Sequence, residues 1–373
     1  MNEIELTKKL ISIPSYVDKT TDESFAIKFL YEYLKQNLKD VEIILQKVEG
    51  ERSNIIVKKG TPSLLVVGHI DTVEPRQGWN TNPLVPIENN GKIFGLGAND
   101  MKGSLASFIT ALVENEVPDN FMLLIYIDEE YDFNGMKKFV TEYKNTIKPT
   151  FVLSTDGGGP NIGYGCKGCI EITFQILGKT GHAANPLSGV NAIRISTLAI
   201  NKLEETLNKL GSNELGKSTV NLAYLNGGLN LNGKRVGKQG NNIADITEFV
   251  IDVRTNGNVD AKEVMKIVSK SIEKQNGEVL KAEIRHNLNY WKTDQQNLTW
   301  LKQITKKKYP KCNFELPFGY IDTQMIWEMF NNVNCATLGA GPGGNQHAPD
   351  EWISINGLTK TKAIYKEILK RKF

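Results

Sequence analysis

A length of 373 residues, at roughly 150 per domain, predicts about two domains. The apolar fraction of 40% and the charged fraction of 23% are those of a globular chain with a sizeable core, which excludes global disorder. Forty-five Lys and Arg against 42 Asp and Glu leave a net charge of +3, so neither nucleic acid nor an anionic membrane surface is an expected partner.

In chain order, residues 24–38 place Phe25, Phe29, Leu30, Tyr33 and Leu34 near helical spacing and predict an amphipathic helix. Short, almost wholly apolar runs at 64–67, 121–127, 151–153 and 335–338 suit strands buried on both faces. Helical stretches at 103–114 and 135–143 lie between them, and this alternation predicts a mainly parallel sheet covered by helices. From about Gly168 the texture changes. Strands are predicted at 169–177, 218–225, 247–254 and 279–287, with helices at 190–210 and 261–275. The simplest reading is a small α/β sandwich inserted into a larger α/β domain, to which the chain returns for a helix at 298–307. A polar, Gly- and Asn-rich loop at 226–241 belongs to the insert.

Several patterns carry less than their letters suggest. GSNELGKS (211–218) matches the phosphate-binding loop letter for letter, but a helix precedes it and a strand follows, the reverse of what that chemistry needs. GYGCKG (163–168) matches the dinucleotide fingerprint but runs into a strand. Cys166 and Cys169 form one CxxC without a second pair, so free thiols are expected rather than a cysteine zinc site. Four cysteines cannot build a disulfide scaffold and point to a reducing, cytoplasmic setting. The acids in MNEIELTKKLISIPS predict no signal peptide, and no run of about 18 apolar residues predicts a membrane span. A serine-hydrolase elbow (GxSxG) is missing.

The chemistry gathers elsewhere. His69 and Asp71 follow the run at 64–67 at i, i+2 spacing, which turns a metal-binding imidazole and an orienting carboxylate the same way. Asp100 closes a glycine-rich turn before the helix at 103. Asp128, Glu129 and Glu130 end the run at 121–127, where three acids at the mouth of a buried strand are costly unless a cation neutralises them. Asp156 ends the next strand, and His347 follows the run at 335–338. Carboxylates and imidazoles thus collect beyond the C-terminal ends of four strands, where open α/β sheets place their ligands. The donor set suits zinc or another first-row divalent ion and leaves Glu129 for proton transfer.

These residues stand in ordered motifs: GHIDTV (68–73), Trp79, GKIFGLGANDMKG (91–103), IDEE (127–130), GKTGHAANPLSGVNAI (178–193), NNIAD (241–245), DVR (252–254) and GPGGNQHAPDE (341–351). The set resembles the co-catalytic zinc aminoacylase and carboxypeptidase family that includes acetylornithine deacetylase and succinyl-diaminopimelate desuccinylase. The resemblance implies two zinc ions per chain, replaceable by cobalt or manganese. Asp100 would bridge them, His69 and Asp156 would complete one, and Glu130 and His347 the other. Asp71 matches the acid behind His69, and Glu129 the general base. His182 matches a histidine that reaches the partner subunit's site in dimeric members, while Asn241 and Arg254 match residues holding the substrate carboxylate or carbonyl. The implied fold is a zinc-peptidase-like α/β/α catalytic domain (1–167 and 288–373) with an inserted ferredoxin-like α+β lid and dimerisation domain (168–287). The implied activity is metal-dependent hydrolysis of a small N-acyl amino acid by a homodimer, with a carboxypeptidase or dipeptidase acting on short peptides as the alternative.

Some positions depart from the pattern. Leu96 stands where Arg is common. Asp156 replaces the Glu-Pro of the deacetylase and desuccinylase branches and resembles the peptidase branch. The segment around Asp322 lacks the desuccinylases' small, hydroxyl-rich signature. His286 falls in no motif and is expected at the surface or an interface. A binding protein on a decayed enzyme scaffold would lack ligands or base, and all are present.

Overall fold

The computed structural model describes all residues except 158, 232–233, 237–239, 318–320 and 322. The Asp322 comparison and part of the 226–241 loop therefore lie outside the described residues. The chain divides into two compact units: Met1–Gly165 with Lys292–Pro317 and Ile321–Phe373, and Cys166–Trp291.

The first unit is built on a mixed sheet in the order Glu42–Glu49, Arg52–Lys59, Phe121–Tyr126, Leu64–His69, Phe151–Ser154, Asn334–Thr337, Ile162–Gly163, Phe314–Glu315. Its four central strands run parallel, and three of them pair in register from Leu64 opposite Phe121 and Phe151. Leu64–His69 and Phe121–Tyr126 are buried at every position, which is why they read as unbroken apolar runs. Helices Ser24–Asn37, Gly103–Val113 and Ile355–Leu369 supply the facing side chains, with Leu30, Leu34, Leu105, Phe108, Tyr365 and Ile368 in one core. At about 25 cal/mol per Å² of apolar surface removed from water, this core is the main source of the unit's stability.

Several elements here were not predicted, among them helix Ile355–Leu369 and the three that follow. Helix Glu3–Ile11 opens the chain, with Asn2 capping the amides of Ile4 and Glu5. The antiparallel pair Glu42–Glu49 and Arg52–Lys59 adds the sheet's edge, and its interleaved charges hide its strand period.

The second unit has the order strand Gly168–Leu177, helix Ala192–Lys209, strands Thr219–Leu231 and Ile246–Thr255, helix Ala261–Glu273, strand Glu278–Leu288. These strands pair antiparallel in the spatial order second, third, first, fourth, the ferredoxin-like βαββαβ arrangement. The alternation along Gly168–Leu177 buries Ile170, Ile172, Phe174 and Ile176 against Leu203 and Val264 of the helices. The sequence at 211–218 forms a small hairpin, Ser212–Asn213 against Gly216–Lys217, with no helix N-terminus to receive a phosphate. His286 corrects one expectation: it is buried, 7% exposed, opposite Glu171 in the strand register. All four cysteines are buried, and none forms a disulfide. Among the described residues no helix is long and apolar enough to cross a membrane.

Candidate metal centre

The centre is assembled in the first unit, at the ends of the parallel strands. His69 closes Leu64–His69 and is 1% exposed. Its Nδ1 lies 3.1 Å from the backbone carbonyl of Asp71 and 3.5 Å from that residue's Oδ1, both acceptors. The proton therefore belongs on Nδ1, and Nε2 points to Asp100 Oδ1 at 3.3 Å. Asp71 also accepts the Glu130 amide on Oδ2, at 2.9 Å, and so ties the His69 strand end to the acidic loop.

Asp100 sits in a tight turn where Gly97 takes a left-handed φ of 76° and a Cβ there would come within 2.6 Å of Thr72. Its other oxygen, Oδ2, lies 3.2 Å from His347 Nε2, which is also 3.0 Å from Glu130 Oε1. Asp100 therefore offers one oxygen to each of two groups: with His69 and Asp156 on one side, and with Glu130 and His347 on the other. The ligand atoms of each group lie within 4.8 Å of one another. Glu129 joins a third such group with His69 and Glu130.

The charges in this cluster are in tension. Burial pushes the Asp156 carboxyl up to about 6, with the Asp100 charge adding to it. Glu130 is raised by burial as well. Hydrogen bonds that the protonated ring donates to Asp100 and Glu130 push His347 up to about 10. Burial opposes the charge of His69, but its bonds to Asp100 and Asp71 prevail and raise it. A divalent cation would relieve the crowded carboxylates and take the place of the imidazole protons. The spacing fits such an ion. Two donors each at roughly 2.0–2.2 Å from one tetrahedral ion lie about 3.3–3.6 Å apart, close to the 3.3 Å and 3.2 Å of the His69–Asp100 and His347–Asp100 pairs.

Supporting residues that the sequence did not disclose complete the unit. Arg52, at the start of the strand next to the sheet's edge, donates Nε and Nη2 to Glu23 and Nη2 to Asp128 Oδ1 at 2.6 Å. Asp128 has a left-handed φ of 70° and also accepts the Phe133 and Asn134 amides, so this bond fixes the loop carrying Glu129 and Glu130. Glu23 and Asp128 are 0% and 2% exposed. Arg52→Met would strand both carboxylates and is expected to cost about 3–5 kcal/mol in urea unfolding at pH 7. That deficit should shrink in acid, because burial raises the Glu23 carboxyl and protonation removes its unpaired charge. A loss below about 1 kcal/mol would show that the triad is not a structural clamp. Lys102 is fully buried, donates Nζ to the Ile13 carbonyl at 3.0 Å, and is pushed down by burial to about 7. The carboxylate of Glu351 accepts the amides of Gly97, Asn99 and Asp100.

The remaining sequence candidates belong to the second unit. His182 is exposed, and its Nδ1 accepts the Ala184 amide at 3.1 Å. Its backbone bridges to Asn242, and Ala183 donates to the Asn241 carbonyl, so His182 and Asn241 are neighbours. Arg254 gives Nε and Nη2 to Asp252, two residues earlier on its strand.

With this geometry in view, the comparisons with known proteins are direct. Residues 65–371 match the family described as peptidase family M20/M25/M40. The chain belongs to that family. Over its full length it is 28% identical to succinyl-diaminopimelate desuccinylase of Pelagibacter ubique, across 99% of that protein. It is 26% identical to acetylornithine deacetylase of Photorhabdus laumondii, with 98% of this chain and 96% of the relative covered. An M20 family metallo-carboxypeptidase from Sulfolobus solfataricus shares the fold at a TM-score of 0.80 and 19% identity, covering 99% of both chains. As a member of M20, the chain is a metallohydrolase acting on amide or peptide bonds.

Proposed function

We propose that this chain hydrolyses the amide bond of a small N-acyl amino acid, as an acetylornithine deacetylase does, with two divalent ions, zinc foremost, at the Asp100 cluster. One observation carries the reading: a single carboxylate, Asp100, presents one oxygen to each of two imidazole-containing donor groups. In the proposed arrangement His69 and Asp156 hold one ion, Glu130 and His347 the other, and Asp100 both. The bound ions would supply Lewis acidity toward water and the amide carbonyl.

The chain's own groups do the rest. Glu129 accepts the proton of the attacking water on a carboxylate oxygen and returns it to the leaving amine nitrogen. Asp71 keeps His69 in the Nδ1–H tautomer, with its backbone carbonyl as the nearer acceptor. The Ala184 amide bonded to His182 Nδ1 leaves the neutral ring's proton on Nε2, a donor suited to the carbonyl oxygen as negative charge develops. Asn241 and Arg254 would hold the substrate carboxylate, Arg254 through Nη1 or in exchange for Asp252. The proposal extends to a cytoplasmic homodimer in which the second unit acts as a lid and His182 serves the other copy's site. The desuccinylase and deacetylase relatives support the acyl-amino-acid reading. Asp156, peptidase-like in type, favours the second reading, a carboxypeptidase or dipeptidase.

A substrate panel under chelator control tests this. Activity should fall at least about a hundredfold on chelation and return with zinc or cobalt. N-acetyl amino acids should surpass dipeptides. A preference for dipeptides selects the second reading, and hydrolysis indifferent to chelation rejects both.

A further inference from the structure

In the turn that carries Asp100, three backbone amides converge on one buried side chain. Glu351 is 2% exposed; its Oε2 accepts the Gly97 amide at 2.8 Å, and its Oε1 accepts those of Asn99 and Asp100 at 2.7 Å and 2.9 Å. Its own carbonyl accepts the Gly95 amide at 3.0 Å, and Trp352–Ser354 pairs antiparallel with Lys92–Phe94, so the acid is anchored on both sides of the turn it holds. Convergent amides in a tight turn form a nest for an oxygen acceptor; here the acceptor is a carboxyl group from 251 residues farther along the chain, and burial together with the neighbouring Asp100 charge raises it to about 8.

We propose that Glu351 is a positioning residue for the metal centre: by fixing the Gly97–Asp100 turn it sets the direction from which the Asp100 carboxylate reaches both ions. The inference rests on Asp100 being the shared ligand. The backbone of Asp100 is neither helical nor left-handed (φ −122°, ψ 93°), so helix formation does not hold it, and the bond from its own amide to Glu351 does. A carboxylate that gives one oxygen to each of two partners, at 3.3 Å and 3.2 Å, tolerates little rotation about its Cα–Cβ bond. The close packing beneath leaves no second seat for the turn, because a Cβ on Gly343 would lie 1.9 Å from Asn99 Oδ1. Glu351 touches neither ion nor substrate in this scheme and acts through Asp100 alone.

The test uses full-length metal-free protein titrated with Co²⁺, following the visible absorption bands and the affinity against a competing chelator. Glu351→Ala should weaken Co²⁺ binding about 10–100-fold, the usual consequence of losing an outer partner of a ligand, and should alter the absorption spectrum. Glu351→Gln keeps an oxygen for the Asn99 and Asp100 amides and turns an NH₂ toward that of Gly97. It should recover most of the loss, with an intermediate spectrum. Wild-type affinity and spectrum in a folded Glu351→Ala protein overturn the proposal. If that variant does not fold, Glu351→Gln decides: a threefold or greater loss with a shifted spectrum upholds it, and wild-type binding overturns it. Asp100→Asn, run in parallel, separates the two levels. Unchanged binding there removes the shared-ligand reading itself, whereas loss there with none in the Glu351 variants removes this inference alone.

Discussion

Glu129→Gln is expected to abolish turnover while leaving the metal content of the protein unchanged. Glutamine keeps the volume of the side chain and one hydrogen-bonding oxygen but cannot accept a proton from water near neutral pH. The two donor groups that share Asp100 are complete without Glu129, which lies in a third group with His69 and Glu130. Loss of a general base costs about 10²–10⁴ in rate, or about 3–5 kcal/mol of transition-state stabilisation. The expected signature is a fall of that size in kcat with KM little changed, and metal per chain equal to that of the unaltered protein. A variant retaining more than about a tenth of the activity places the base elsewhere, and Glu130 is then the next carboxylate to test. A variant that loses metal as well as activity makes Glu129 a ligand.

What the sequence disclosed and what it hid differ for physical reasons. The central strands were legible because burial on both faces leaves runs such as Leu64–Val67 and Phe121–Ile125 wholly apolar, and these need no long-range knowledge to be recognised. The ligands were legible because acids and histidines at the ends of such strands have no solvation reason to be there. The pair Glu42–Glu49 and Arg52–Lys59 was not, because the half-exposed edge strand Glu42–Glu49 alternates weakly and carries charges, and its inner partner has only the short apolar run Ile55–Val57 between polar ends. Arg52 gives no local signal at all. Its role exists only once Glu23 and Asp128, 29 and 76 residues away, are folded against it. Glu351 is hidden more deeply, since its partners are main-chain amides, which every sequence possesses. His286 lies opposite Glu171 on a strand whose register has a bulge between Glu171 and Ile172, and simple alternation cannot anticipate such a shift.

The second large effect belongs to Asp100. Each of its oxygens faces a different imidazole, so Asp100→Asn replaces one carboxylate oxygen by an NH₂ that repels a cation and removes a full negative charge from between two would-be ions. Neither donor group is complete without it, because His69 with Asp156, and Glu130 with His347, would each be left as a pair. The substitution is therefore expected to reduce bound metal from the proposed two ions to at most one per chain, and kcat/KM by at least about a thousandfold, or about 4 kcal/mol. Stability supplies an independent readout. A ligand that binds only the folded state stabilises it by about 2.7 kcal/mol at a hundred times its dissociation constant, so the melting temperature of the unaltered protein should climb with added zinc. That of Asp100→Asn should respond far less over the same concentrations. The metal-free forms provide the control for folding: in both, Glu351 still gathers the Gly97, Asn99 and Asp100 amides, none of which involves the Asp100 side chain. If Asp100→Asn instead binds two ions with unaltered affinity and melts with the same zinc dependence, the two donor groups do not meet at this carboxylate, and the bridging geometry from which the hydrolytic scheme was derived must be given up.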